Sequence, residues 1–126
     1  MTAQERKKIP VYSGVLTYFP DAIAEVSKSS MAGNKQHLEG QPLHWDRTKS
    51  MDQLDALVRH LLDHARGEEF DDDGVRHLAK VAWRALAELQ LVMEKKHNKS
   101  KKHNKTYSDA DVSKSFAQYI ADTYVL

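Results

Sequence analysis

The sequence predicts an all-α fold, a small four-helix-type bundle with a long loop between its first two helices. Apolar residues recur at spacings of three and four through residues 54–65, 75–93 and 112–124, the period at which one face of a helix is buried. Helix-starting and helix-ending residues stand at the margins of these stretches. Residues 33–49 lack a helical period and separate the first helix from the second.

Residues 1–9 are polar and basic and read as a frayed lead. Residues 11–19 are apolar enough to lie on the core, but Gly14 and Pro20 bracket them, so an extended or irregular segment is expected. A helix opens at Pro20 or Asp21, because Pro is tolerated in a first turn and an acid there suits the helix dipole. Ile23 and Val26 face inward, Glu25 and Lys28 share another face, and the helix stops near Gly33. The stretch GNKQHLEGQPLHWDRTK that follows is long for a loop without structure of its own, and is expected to lie across the mouth of a pocket.

Ser50 is the expected cap of the next helix, with Gln53 completing a capping box. Leu54, Leu57, Val58, Leu61, Leu62 and Ala65 form its core stripe, Asp52, Asp55, Arg59, Asp63 and Arg66 its polar edge, and Gly67 its end. After the acidic turn EEFDDDG, Asp73 is the expected cap of a helix whose stripe is Val75, Leu78, Ala79, Ala82, Leu86, Leu89 and Met93. His77, Lys80 and Arg84 line a neighbouring edge of it. Packed antiparallel through their apolar faces, these two helices would hold carboxylates and cations within reach of one pocket, as a metal-bound polyphosphate requires.

KKHNKS and KKHNKT then repeat. A lysine-rich segment without aromatics cannot bury enough surface to order itself, so residues 95–106 read as a linker or frayed helix end. Ser108 and Asp111 open a last helix, within residues 107–126, whose stripe Val112, Phe116, Tyr119, Ile120 and Tyr124 needs the bundle or another subunit to cover it. The expected organisation is therefore a helical domain at 1–94, a linker at 95–106 and a closing helix at 107–126.

Composition narrows the function classes. The chain has no cysteine, which excludes disulfides, thiolate zinc sites and a cysteine nucleophile. No apolar run approaches the roughly 20 residues that span a bilayer, and MTAQERKK is not followed by a signal-peptide segment, so a soluble cytoplasmic protein without a membrane partner is expected. The net charge of +1 hides a local basic run at 95–105, the one place where nucleic acid would bind.

Asp52 and Asp55 are three apart on one helical face and, with Glu25, could hold Mg2+ or Mn2+, hard cations that take oxygen ligands. The reading that spacing alone favours is that both are acids at a helix N-terminus, satisfying the dipole and water. His60, His64 and His77 suggest a zinc site, the first two being four apart, but no Glu follows His60 in the HExxH manner, so a hydrogen-bonded structural histidine is favoured. His77 begins a helix beside Arg76 and Lys80 and could touch a phosphate. Arg59, Lys80 and Arg84 are phosphate ligands or ion-pair partners of the acidic turn. Trp45 stacks on a base or plugs a core edge. Asp71, Asp72 and Asp73 lack the ligand positions and closing Glu of a calcium loop. The residue pattern thus reaches a helical bundle with a metal and phosphate edge and does not name a substrate.

EVSKSSMAGNKQH, PLHWDRTKS, MDQLDALVRHLL and DDDGVRHLAKVAWRALAELQ, in that order, resemble the small phage-encoded dATP/dGTP diphosphohydrolase family. The likeness spans residues 23–90, and the family is similar to the MazG-type all-α pyrophosphohydrolases. The resemblance implies a MazG-like fold and Mg2+- or Mn2+-dependent cleavage of a deoxynucleoside triphosphate to the monophosphate and pyrophosphate. It also implies a phage nucleotide-pool role, with dGMP as a precursor of 2-aminoadenine. By the same resemblance Glu25 and Asp55, with Asp52, would hold the ion. Lys49, Arg59, His77, Lys80 and Arg84 would meet the phosphates, and Asn34, His37 and Trp45 the base or sugar. A homo-oligomer in the host cytoplasm is expected. The chain departs from the MazG pattern in carrying Lys28 where a second acid is expected, and the later acid pair falls on Asp52 and Asp55 or on the positions of His77 and Lys80. The rival readings are a nucleic-acid-binding accessory protein acting through its basic run, and a catalytically silent interaction module.

Overall fold

The structure is a computed structural model that describes residues 1–37 and 40–101. Its elements are the helices α1 (Ala3–Lys7), α2 (Pro20–His37), α3 (Gln53–Ala65) and α4 (His77–Lys101), with a π-helical turn at Tyr12–Leu16. The described residues contain no strand, and one antiparallel bridge joins Phe70 to Arg76. The all-α expectation holds. The closing helix expected at 107–126 lies outside the described residues.

The described residues form two compact units, residues 19–88 and residues 1–18 with 89–101, and α4 contributes to both. In the second of these the expected frayed lead is instead a helix. Thr2 accepts a hydrogen bond from the Glu5 N–H while the Glu5 carboxylate accepts from the Thr2 N–H, so two orphan donors are satisfied within one turn. The segment expected to be irregular winds into the π turn, where a Cβ on Gly14 would stand 3.2 Å from the Pro10 ring. Glu94 is buried there and accepts from Gln90, one turn before it. α4 runs on through the first basic repeat to Lys101.

Residues 19–88 carry the site. α2 opens at Pro20, as expected, but passes through Gly33 to His37. A glycine inside a helix costs about 1 kcal/mol relative to alanine, and it ends a helix only when it turns left-handed, which Gly33 does not. Gly67 does, at φ +93°, and α3 stops just before it. The capping box expected at Ser50 is absent. Asp52 takes the cap position without a side-chain cap bond, Ser50 sits at φ +50°, and the Gln53 amide donates to the Ser50 carbonyl instead. Asp73 likewise caps no helix: its carboxylate accepts from the Val75 N–H, tightening a turn that passes through Gly74 at φ +81° before α4 opens at His77.

α3 and α4 are antiparallel. Gln53 meets Arg84 and His60 meets His77, so seven residues forward on one helix is seven back on the other. They do not pack through their leucine faces, as the periodicity suggested. Ala56 is fully buried and Ala79 nearly so, whereas Leu54, Val58, Leu61, Leu62, Leu78 and Leu86 are each more than two-fifths exposed. Ala56 and Ala79 are buried along this pair with Gln53 and His77, and the larger apolar side chains stand outward.

Candidate active site

A cavity of about 340 Å³ opens between the C-terminal half of α2, the loop that follows it, α3, the acidic turn and α4. That is the lower end of the size range of small-molecule sites. The loop expected to cover a pocket does line it, through residues 43–46, Lys49 and Ser50. Asp46 holds this stretch in shape, accepting from the Thr48 hydroxyl at 2.6 Å and from its N–H at 2.9 Å, and those bonds lower its pKa.

The aromatic end of the cavity is built by contact between loop and helix. Trp45 meets Trp83 edge to face at 5.5 Å, and the Trp83 indole N–H donates to the Ser30 hydroxyl on α2 at 2.9 Å. The Arg47 guanidinium lies 4.2 Å over the Trp45 ring. Nearby, the Asn34 amide nitrogen donates to the Gln41 carbonyl, while Asn34 Oδ1 and the Ser29 hydroxyl, both buried and both on the cavity wall, have no partner among the described residues. Buried polar atoms of this kind are normally satisfied, so a ligand donor suits them.

The charged end rests on α4. Lys80 and Arg84, four apart, share one face. The Lys80 ammonium sits 2.6 Å from both Asp71 and Asp73. Burial works against its charge, but the two carboxylates outweigh that and raise its pKa. Burial likewise opposes the Asp71 carboxylate, and the Lys80 hydrogen bond overrides it, lowering that pKa. Arg84 donates to Gln53 Oε1 and the Ser50 carbonyl. Burial lowers its pKa, though a guanidinium stays charged at neutral pH. Lys49 adds a third cation to the wall.

Behind this wall His60 and His77 face each other, Nδ1 to Nδ1, at 2.9 Å, and Asp63 Oδ2 lies 3.8 Å from His77 Nδ1. His77 is buried; His60 reaches the cavity, and its pKa is lowered by burial, with Lys80 adding to the effect.

Of the residues singled out from sequence, Asn34, Trp45, Lys49, Lys80 and Arg84 line the cavity. His77 stands behind it, and Arg59 pairs with Asp52 at 2.9 Å. The His37 side chain lies outside the described residues. The expected metal ligands are placed apart from the cavity wall. Glu25 binds Lys28 at 2.6 Å and Arg76 at 3.0 Å, Asp52 binds Arg59, and Asp55 is exposed on α3. Among the described residues Glu25, Asp52 and Asp55 do not converge, whereas His60, Asp63 and His77 do, with ligand atoms all within 4.8 Å. Sequence reasoning passed over Asp71, Asp73 and Gln53 as site residues. A signal was present for the first two, since the DDDG turn is followed within about three helical turns by Lys80 and Arg84.

The family described as dATP/dGTP diphosphohydrolase, N-terminal, matches residues 2–101, most of the chain, and the chain belongs to that family. No curated protein and no solved structure matches it.

Proposed function

We propose that this member of the dATP/dGTP diphosphohydrolase family hydrolyses deoxypurine nucleoside triphosphates in the cavity of residues 19–88, releasing the monophosphate and pyrophosphate. The observation that carries the reading is the pairing, in one cavity, of a cationic end built from Lys49, Lys80 and Arg84 with an aromatic end built from Trp45 and Trp83. The triphosphate lies along the cations and the base against the indoles. Asn34 Oδ1 and the Ser29 hydroxyl accept from the base edge, where adenine offers an amino group and guanine an amino group and a ring N–H. Acceptors alone do not separate these two bases, which fits a family named for both.

Water attacks the α-phosphorus, the bond from that phosphorus to the bridging oxygen breaks, pyrophosphate leaves with the electron pair, and the proton passes to solvent. The chain's part is positioning and charge, the main contributions in phosphoryl transfer. The wall falls short in charge. Lys49, Lys80 and Arg84 are matched by the carboxylates of Asp46, Asp71 and Asp73, which leaves a bound triphosphate unneutralised. A divalent ion, Mg2+ or Mn2+, supplies that missing charge and polarises the phosphate.

The working unit of this proposal is a homo-oligomer. Leu54, Val58, Leu61 and Leu62 on α3 with Leu78 and Leu86 on α4 are all exposed, and in this reading a second copy covers them. Purified protein incubated with dATP, dGTP and dCTP, with each ion in turn, is expected to yield purine monophosphate and pyrophosphate on ion-exchange chromatography. Absence of both products from every mixture refutes the reading.

A further inference from the structure

We propose that His60, Asp63 and His77 form a metal site of two histidines and one carboxylate, which takes a divalent transition ion such as Mn2+, Co2+ or Zn2+ in preference to Mg2+. The inference names the ion site of the proposed hydrolase, and only the ion's role in turnover rests on that reading.

The donors are already gathered. His60 and Asp63 lie one turn apart on α3, and the antiparallel register brings His77, the first residue of α4, against them. The two Nδ1 atoms are 2.9 Å apart and His77 Nδ1 is 3.8 Å from Asp63 Oδ2. Ligands held about 2.1 Å from an ion and separated by these two distances subtend angles of roughly 90° and 130°, within ordinary coordination geometry, and all three ligand atoms lie within 4.8 Å of one another.

The surroundings favour an ion over a bare hydrogen bond. Two neutral imidazoles facing through Nδ1 hold one proton between them, and a divalent cation in its place would take a lone pair from each nitrogen and the charge of Asp63 as well. The Asp63 carboxylate is already turned toward the histidines, because Arg66 holds Oδ1 at 3.0 Å and leaves Oδ2 toward His77. His77 is buried, which keeps competing water from one side, while His60 lies on the cavity wall, so open coordination positions are reachable from the place assigned to the triphosphate. Two nitrogens and one oxygen are a donor set for borderline ions, since Mg2+ takes oxygen almost exclusively. Two cations stand near the site, Arg66 bound to the Asp63 carboxylate and Lys80 held by Asp71 and Asp73.

The test uses the full chain without nucleotide. Titration with Co2+ is expected to produce visible ligand-field bands that saturate at one equivalent and are displaced by Zn2+, with calorimetry ranking Zn2+ and Mn2+ above Mg2+. His60→Gln and His77→Gln are expected to abolish the bands, and Asp63→Asn, which leaves both imidazoles and the helix pair in place, to weaken Co2+ binding at least tenfold with unchanged circular dichroism. Absent bands, or bands of full strength in Asp63→Asn and His60→Gln, overturn the site. Hydrolysis that proceeds with Mn2+ at the wild-type rate in Asp63→Asn overturns the site's role in turnover, while leaving the proposed activity standing. Co2+ binding by a chain that yields no monophosphate sinks the activity and leaves the site.

Discussion

Replacing Lys80 with methionine removes the one ammonium that Asp71 and Asp73 share, while keeping most of the volume and the helix propensity of the side chain. Each charge-assisted hydrogen bond is worth about 1.5–3 kcal/mol when well shielded. The lysine side chain is 16% exposed and its partners 29% and 36%, so solvent screens both bonds. The two carboxylates also repel once the cation is gone, leaving a net loss of about 1–2 kcal/mol at neutral pH, or roughly 5–10 °C in Tm for about 100 residues.

The pH dependence identifies the cause. Asp71 titrates below its ordinary 3.8 in the folded chain, so its contribution is present above that value and lost as pH falls through the folded pKa. Lys80 titrates above its ordinary 10.5, so its contribution is complete below that value and lost as pH rises through the folded pKa. The gap between wild type and Lys80→Met is therefore expected to be flat from about pH 5 to pH 10 and to close on the acid side. Urea unfolding followed by Trp45 and Trp83 fluorescence measures it, and a double-mutant cycle with Asp73→Asn isolates the pair. A gap under about 0.3 kcal/mol at pH 7, or one unchanged between pH 3 and pH 7, refutes the reasoning.

Arg84→Met is expected to lower kcat/KM for dGTP by about 10²–10³-fold in steady-state assays, with the helical circular dichroism retained. Asn34→Ala removes the unpartnered Oδ1, so it is expected to raise KM for dATP and dGTP in steady-state assays by about tenfold, the effect of a lost hydrogen bond to a base. Leu61→Glu places a charge on the exposed face of α3 and is expected to shift the chain to monomer in light scattering; an unchanged mass rules that face out as the interface.

Much of the helical reading followed from local chemistry. The 3.6-residue period of α3 and α4, Pro20 at the first turn of α2 and Gly67 after α3 are decided by neighbours within a turn, and such features are legible in any window of sequence. So were the cations: Lys80 and Arg84 share a helical face whatever packs on it. Capping at Ser50 and Asp73 failed because each residue took a locally competing role, a left-handed backbone in one and a turn closed on Val75 in the other.

What the sequence could not settle is which face of each helix meets which neighbour. Periodicity marks an apolar stripe but carries no address, so of the residues read as core Val75 and Ala79 are buried while Leu61 and Leu86 stand exposed, and Ala56, outside the stripe, is fully buried. The same choice of faces determined the chemistry. Glu25, Asp52 and Asp55 are plausible ligands one helix at a time, but the packing ties the first two to Arg76 and Arg59 and leaves the third on the surface. His60, Asp63 and His77 meet because an antiparallel register sums their positions across two helices, a quantity with no trace in either helix alone.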